Sequence, residues 1–158
     1  MQSLLTTAEF VAEHEGLRLS AYLDSRQNVT VGFGIALTAP NGLALDEAEF
    51  LLCYRLYKLL ADCRRFPGFD ELSPARQAIL ADCAYNMGIG NFEREIASSL
   101  SGNALMVAHA IGSCAASKIN PGRYATNALD YADDILSKSW PDPIIISDTI
   151  KAFVHDVG

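Results

Sequence analysis

Glu15-Gly16-Leu17-Arg18-Leu19-Ser20-Ala21-Tyr22-Leu23-Asp24, followed by Thr30-Val31-Gly32-Phe33-Gly34, holds most of what this chain says about itself. Upstream, Thr6-x-x-Glu9 has capping-box spacing, with Thr6 or Thr7 as the cap, and Phe10, Val11, His14 and Leu17 recur at helical spacing. Gly16 can take the left-handed conformation without steric cost, so it is the expected stop, and Glu15 falls in the last helical turn. Residues 19–24 and 29–33 then read as short strands of a β-hairpin, joined by the polar Ser25-Arg26-Gln27-Asn28. Gly32 and Gly34 mark bends or close backbone approach.

A glutamate at a helix C-terminus faces the negative end of the helix dipole, and partial burial adds desolvation. Both effects push its pKa up, toward a value useful for a general acid. Asp24 stands nine positions later, near a strand end among polar residues, where it could stay ionised. Thr30, six further on, could hold a water against it. Two carboxylates whose surroundings separate their pKa values form an acid–base pair. Taken singly, Glu15 also suits a solvated surface acid, Asp24 a turn residue and Thr30 a strand former. Their joint order and spacing favour the pair.

The remainder reads as helical. Residues 38–43, with Pro40 and Asn41-Gly42, form a loop. Asp46-Glu47-Ala48-Glu49 places acids in a first helical turn, and residues 50–63 are apolar enough to be expected at the centre of the fold. Pro67-Gly68 stops that helix. Ser73-Pro74 is an N-cap with proline at the first helical position. The helix over 75–87 carries Ile79, Leu80, Cys83 and Ala84 on one face, and Gly88 and Gly90 end it. Further helices are expected over 91–100, 103–116 and 124–138, with Asn120-Pro121-Gly122 as a turn. After Trp140 come Pro141, Pro143 and the apolar Ile144-Ile145-Ile146, which docks back or meets a partner, and a short helix from Asp148. Phe50, Tyr54, Tyr57 and Phe66 sit at helical spacing, suited to packing more than to sugar stacking.

The 158 residues fit one domain with two lobes, half apolar and a fifth charged. Twelve basic residues scattered among 19 acidic ones give a net charge of −7, which argues against nucleic acid as a partner. No apolar run reaches the roughly 20 residues of a membrane span, so no stable membrane insertion is expected. The opening Met-Gln-Ser-Leu-Leu-Thr-Thr lacks the basic and apolar regions of a secretory signal, which predicts synthesis in a cytoplasm. Cys53, Cys63, Cys83 and Cys114 are widely spaced with no Cys-x-x-Cys pair, and read as small buried hydrophobes with free thiols. His14, His109 and His155 show no ligand spacing with them, and neither metal nor cofactor is expected.

Glu-Gly-Leu-Arg-Leu, Tyr-x-Asp and Thr-Val-Gly-x-Gly at this spacing resemble the phage-type lysozyme (endolysin muramidase) family, glycoside hydrolase family 24. The resemblance extends over roughly residues 5–140: Asp46-Glu47-Ala48-Glu49 looks like the start of the family's long inter-lobe helix, residues 69–87 ending in Asn86-Met87-Gly88 are similar to its buried helix, and Ser137-Lys138-Ser139-Trp140 to its closing segment.

It implies an α+β, mostly α, lysozyme-like fold in a single domain 1–158. The small lobe, about 12–45, would carry the hairpin. The larger helical lobe would hold about 1–11 and 46–140, joined by the long helix and followed by a tail, 141–158. It implies a cleft for a peptidoglycan glycan strand and cleavage of the β-1,4 bond between N-acetylmuramic acid and N-acetylglucosamine. Glu15 would be the general acid. Asp24, with Thr30, would position the attacking water for inversion, which needs carboxylates about 6.5–9.5 Å apart. Tyr22 and Phe33, flanking the motif, and Asn86 and Asn127 are the candidate substrate-binding residues, and Arg18 a structural one. The protein would act as a monomer on the wall after release or delivery from the cytoplasm.

The chain departs from the family in two places. Ile35 stands where a histidine commonly follows the Gly-x-Gly. Asn127 and Asp130 stand where arginines are usual, with Arg123 a few residues before. These departures and the acidic surface motivate an alternative: a lysozyme-fold protein with weak or lost catalysis, acting as a glycan- or protein-binding module.

Overall fold

The computed structural model describes residues 10–13, 16–38, 42–137 and 151. Glu15, the caps at Thr6 and Thr7, Pro40-Asn41 and the tail with Trp140 and Ile144-Ile145-Ile146 lie outside the described residues. The chain divides into two compact units, Met1–Ala48 and Glu49–Gly158. It is mostly helical with one small antiparallel sheet, an α+β architecture.

In the first unit, residues 10–13 are helical. The Gly16 amide donates to the Ala12 carbonyl at 3.0 Å, and its φ of 66° turns the chain out of the helix. Three strands follow in the order β1 (Arg18–Leu23), β2 (Val29–Gly32) and β3 (Ile35–Ala36). Tyr22 pairs with Thr30 and Leu23 with Val29, with an irregularity between Arg18 and Tyr22. Thr30 also pairs with Ala36. The expected hairpin is therefore a three-stranded meander. Gly32 and Gly34, at φ 67° and 75°, reverse the chain around Phe33, and Val31 pairs with Ile35. Thr30, on the central strand, is the buried residue among those described in this unit.

α1 (Leu45–Cys63) starts with Glu47 accepting a hydrogen bond from the Ala44 amide at 2.8 Å. Its apolar run is not the centre of the fold. Phe50, Tyr54 and Tyr57 are exposed, and only Glu49 and Cys63 on this helix are buried. The run is apolar all round, whereas a helix on a core buries one stripe. Leu59, Leu60 and Cys63 meet the core, and Phe50 and Tyr54 stack on each other.

The second unit is built around α2 (Pro74–Met87). Ser73 Oγ accepts from the Arg76 amide at 3.2 Å, Pro74 takes the first helical position, and Gly88 ends the helix at φ 81°. Ile79, Leu80, Cys83 and Ala84 are buried, as the periodicity predicts. α3 (Ile89–Glu95) gives way to a 3₁₀ turn (Ala97–Ser101), so the helix expected over 91–100 is split, and Gly90 lies inside α3 rather than ending α2. α4 (Ala104–Ser113) is capped by Asn103, whose Oδ1 accepts from the Met106 amide at 3.0 Å. Extended backbone at Cys114 separates it from α5 (Ala115–Ile119), whose first amide is held by Glu95 at 2.7 Å. Asn120-Pro121-Gly122 is not a turn: Pro121 opens α6 (Pro121–Asp133), since proline lacks only an amide that a first turn leaves unbonded. α6 ends before 138 because Asp134 is left-handed, at φ 57°.

Arg76 joins α2 to that terminus. Nε donates to the Tyr131 carbonyl at 3.0 Å, Nη2 to that of Ala132 at 3.4 Å, and the guanidinium lies over the Tyr131 ring. Ser73 Oγ bonds the Asp134 carboxylate. The two Arg76 bonds serve carbonyls that a helix end leaves unpaired. Arg76→Ala is expected to lower the stability of the second unit by about 2 kcal/mol, read from urea unfolding.

Cys63, Cys83 and Cys114 are buried free thiols and Cys53 is half-buried. Burial pushes the thiol of Cys63 up to about 11 and that of Cys83 up to about 12, which keeps both protonated and unreactive. No helix among the described residues is long and apolar enough to cross a membrane.

Candidate active site

Asp24 stands at the turn between β1 and β2, and its carboxylate organises that turn. Oδ1 accepts from the amides of Arg26 and Asn28, each at 2.8 Å, and Oδ2 from Asn28 Nδ2 at 3.2 Å. The Asp24 amide donates to the Asn28 carbonyl, and Gln27, at φ 63°, donates back to Asp24. An aspartate suits this position because its short acceptor reaches amides two and four residues on. The Asn28 amide is the main cause that holds its carboxyl below the usual carboxylate range, with the Asn28 side chain and Arg26 adding to it against some desolvation. The charge expected of Asp24 therefore has a local cause.

Thr30 does not bond Asp24 directly. Its hydroxyl donates to the Asn28 carbonyl at 3.2 Å, so Asn28 links the two residues. Asn28 was not among the candidates; its signal was its place four residues after Asp24 in a polar turn. Tyr22, opposite Thr30 in the register, is half-buried with the Arg18 guanidinium 4.5 Å from its ring centroid, which gives Arg18 a structural part. Phe33 is exposed at the tip between β2 and β3, and Ile35 is exposed on β3.

Asn86 and Asn127 belong to the second unit, each in its own set of hydrogen bonds between α2 and α6. Asp82, one turn before Asn86 on α2, takes Nε of Arg123 at 2.9 Å, Nη2 of Arg123, and Nδ2 of Asn127 at 2.7 Å. Burial opposes its charge, but the Arg123 guanidinium and the Asn127 amide outweigh it and hold the carboxyl below its usual range. The Tyr124 hydroxyl donates to Asn86 Oδ1 at 3.0 Å. Asp82 and Tyr124 went unnoticed in the sequence. The usable signal was two polar pairs at i,i+4, Asp82 with Asn86 and Arg123 with Asn127, each on one helix. Asp130 is no part of either set. It is buried and accepts from the amide and hydroxyl of Ser137, each at 2.8 Å, tying down the segment after α6.

The phage lysozyme family model matches residues 12–130, which spans β1 to β3, α1 to α5 and most of α6. The chain belongs to the phage lysozyme family. Its members are peptidoglycan-lytic muramidases, hydrolases that degrade the bacterial wall. No curated protein matches the chain. In this phage lysozyme, Asp24 and Thr30 lie in the first unit, and Asn86 and Asn127 in the second.

Proposed function

We propose that the chain cleaves the β-1,4 bond between N-acetylmuramic acid and N-acetylglucosamine in peptidoglycan, with inversion. Glu15 protonates the leaving oxygen. Asp24, with Thr30, holds and deprotonates the attacking water on the opposite face of the sugar. Tyr22, Phe33, Asn86 and Asn127 contact the glycan. The enzyme acts as a monomer, is made in a cytoplasm, and reaches the wall by release or delivery.

The observation that carries this reading is the turn at Asp24. A carboxylate held ionised by two backbone amides and one side-chain amide is a fixed negative charge, which suits the part in positioning water that the resemblance implies for Asp24. The departure at Ile35 is on β3, where it pairs with Val31 and not with that turn.

The test is digestion of purified peptidoglycan followed by mass analysis of the muropeptides, beside a turbidity assay on outer-membrane-permeabilised Gram-negative cells. Wild type is expected to release fragments with N-acetylmuramic acid at the new reducing end, of the α anomer when first formed. Glu15→Gln is expected to release almost none. Equal lysis by the two proteins, N-acetylglucosamine reducing ends or anhydro products would each sink the reading. Glycan binding without any product would turn it into the binding-module alternative.

A further inference from the structure

The hydrogen bonds made by Asn86 and Asn127 dictate which end of each amide is available. An ionised carboxylate has no hydrogen to give, so the contact between Asp82 and Asn127 runs from Nδ2, and Asn127 Oδ1 is left as an acceptor. Tyr124 is fully buried, and burial pushes its phenol up, so it keeps its proton. That proton goes to Asn86 Oδ1, which leaves Asn86 Nδ2 as a donor. Among the described residues, neither Asn127 Oδ1 nor Asn86 Nδ2 has a partner. Asn86 is exposed and Asn127 half-buried.

Asn86 and Asn127 lie on the facing sides of α2 and α6. Asn127 reaches Asp82, one turn before Asn86 on α2, while Tyr124, three residues before Asn127, reaches Asn86 itself. Side chains one helical turn apart stand about 6 Å from each other. An acetamido group carries an N–H and a C=O that point in opposite directions. It therefore asks for one acceptor and one donor on either side of it, whereas a hydroxyl in its place reaches only one of the two.

We infer that Asn127 Oδ1 and Asn86 Nδ2 form an acceptor–donor pair for the acetamido group of one N-acetylhexosamine residue, with Asp82 and Tyr124 as the positioning residues that fix both amides. This rests on the glycan reading above and adds to it the group on the sugar that is recognised.

The test measures binding of two neutral probes, the β-1,4 tetramer of N-acetylglucosamine and the β-1,4 tetramer of glucose. The full chain carries Glu15→Gln so that no turnover intervenes, and the readouts are Kd and the asparagine side-chain amide resonances. The acetylated tetramer is expected to bind about tenfold tighter. Asn86→Ala and Asn127→Ala should each remove most of that preference, weakening the acetylated tetramer more than the glucose tetramer. Tyr124→Phe keeps the ring but loses the O–H, and should reduce the preference by about threefold. An unchanged preference in both alanine variants, or an equal loss for both sugars, would overturn the inference. Failure of the muramidase reading would show separately, as no product from wild type, and would leave the binding preference intact.

Discussion

An Asp24→Asn variant is expected to lyse permeabilised cells on the order of 10² to 10⁴ times more slowly than wild type, with its fold intact. The fold survives because the turn needs an acceptor rather than a charge. Asparagine Oδ1 can take the same two amides, from Arg26 and Asn28, that Asp24 Oδ1 takes now. The Asn28 side chain, exchanging its two ends, can offer an acceptor to the new Nδ2. What the variant loses is the negative charge that activates water in the proposed reaction. The pH dependence follows the same group. The carboxyl of Asp24 lies below its ordinary value of 3.8, so the charge is present above that value and disappears only as the pH falls through the lowered one. An acid limb of the rate profile that belongs to Asp24 lies below pH 3.8 in wild type and is absent from the variant. Its contribution to stability has the same sign, present above 3.8 and lost on acidification through the lowered value. Turbidity rates across pH check the first expectation, and acid unfolding checks the second. A variant within tenfold of wild type would remove Asp24 from the chemistry.

The features that were legible in the sequence rest on short-range physics. Gly16 stops a helix because its left-handed conformation is cheap, and Ser73-Pro74 starts one because a hydroxyl and a preset φ suit a first turn. The Asp24 turn follows for a similar reason. The features that were missed depend on partners distant in sequence or on what an element packs against. β3 is two residues long and exists through pairing with β2, so no periodicity announces it. Pro121 reads equally as a turn or a helix start until the Tyr124 side of α6 finds a core to bury against. Asp82 is a plain helical aspartate in the sequence and becomes a hub only when Arg123 and Asn127, some forty positions away, come to it. α1 shows the converse error. Hydrophobicity alone placed it at the centre, and the direction of its faces, which composition does not encode, left its aromatics exposed.

That difference sets the largest expected effect on stability. Phe92→Ala should destabilise the second unit by about 4 kcal/mol, against about 0.5 kcal/mol or less for Tyr57→Ala. Phe92 on α3 is 0 % exposed and its ring lies 5.5 Å from that of Phe66 at 52°, within the core that also holds Leu80, Ile96 and Ile111. Truncation removes the whole ring from a close-packed site, leaves a cavity, and forfeits the aromatic pair. Tyr57, a comparable aromatic on α1, is 60 % exposed and has little to lose. With a total stability of about 5–15 kcal/mol for an ordinary domain, the first change removes a large share and the second almost none. Urea midpoints read by far-UV circular dichroism, with the slope unchanged, measure both. If Tyr57→Ala costs as much as Phe92→Ala, the aromatic face of α1 is covered in solution.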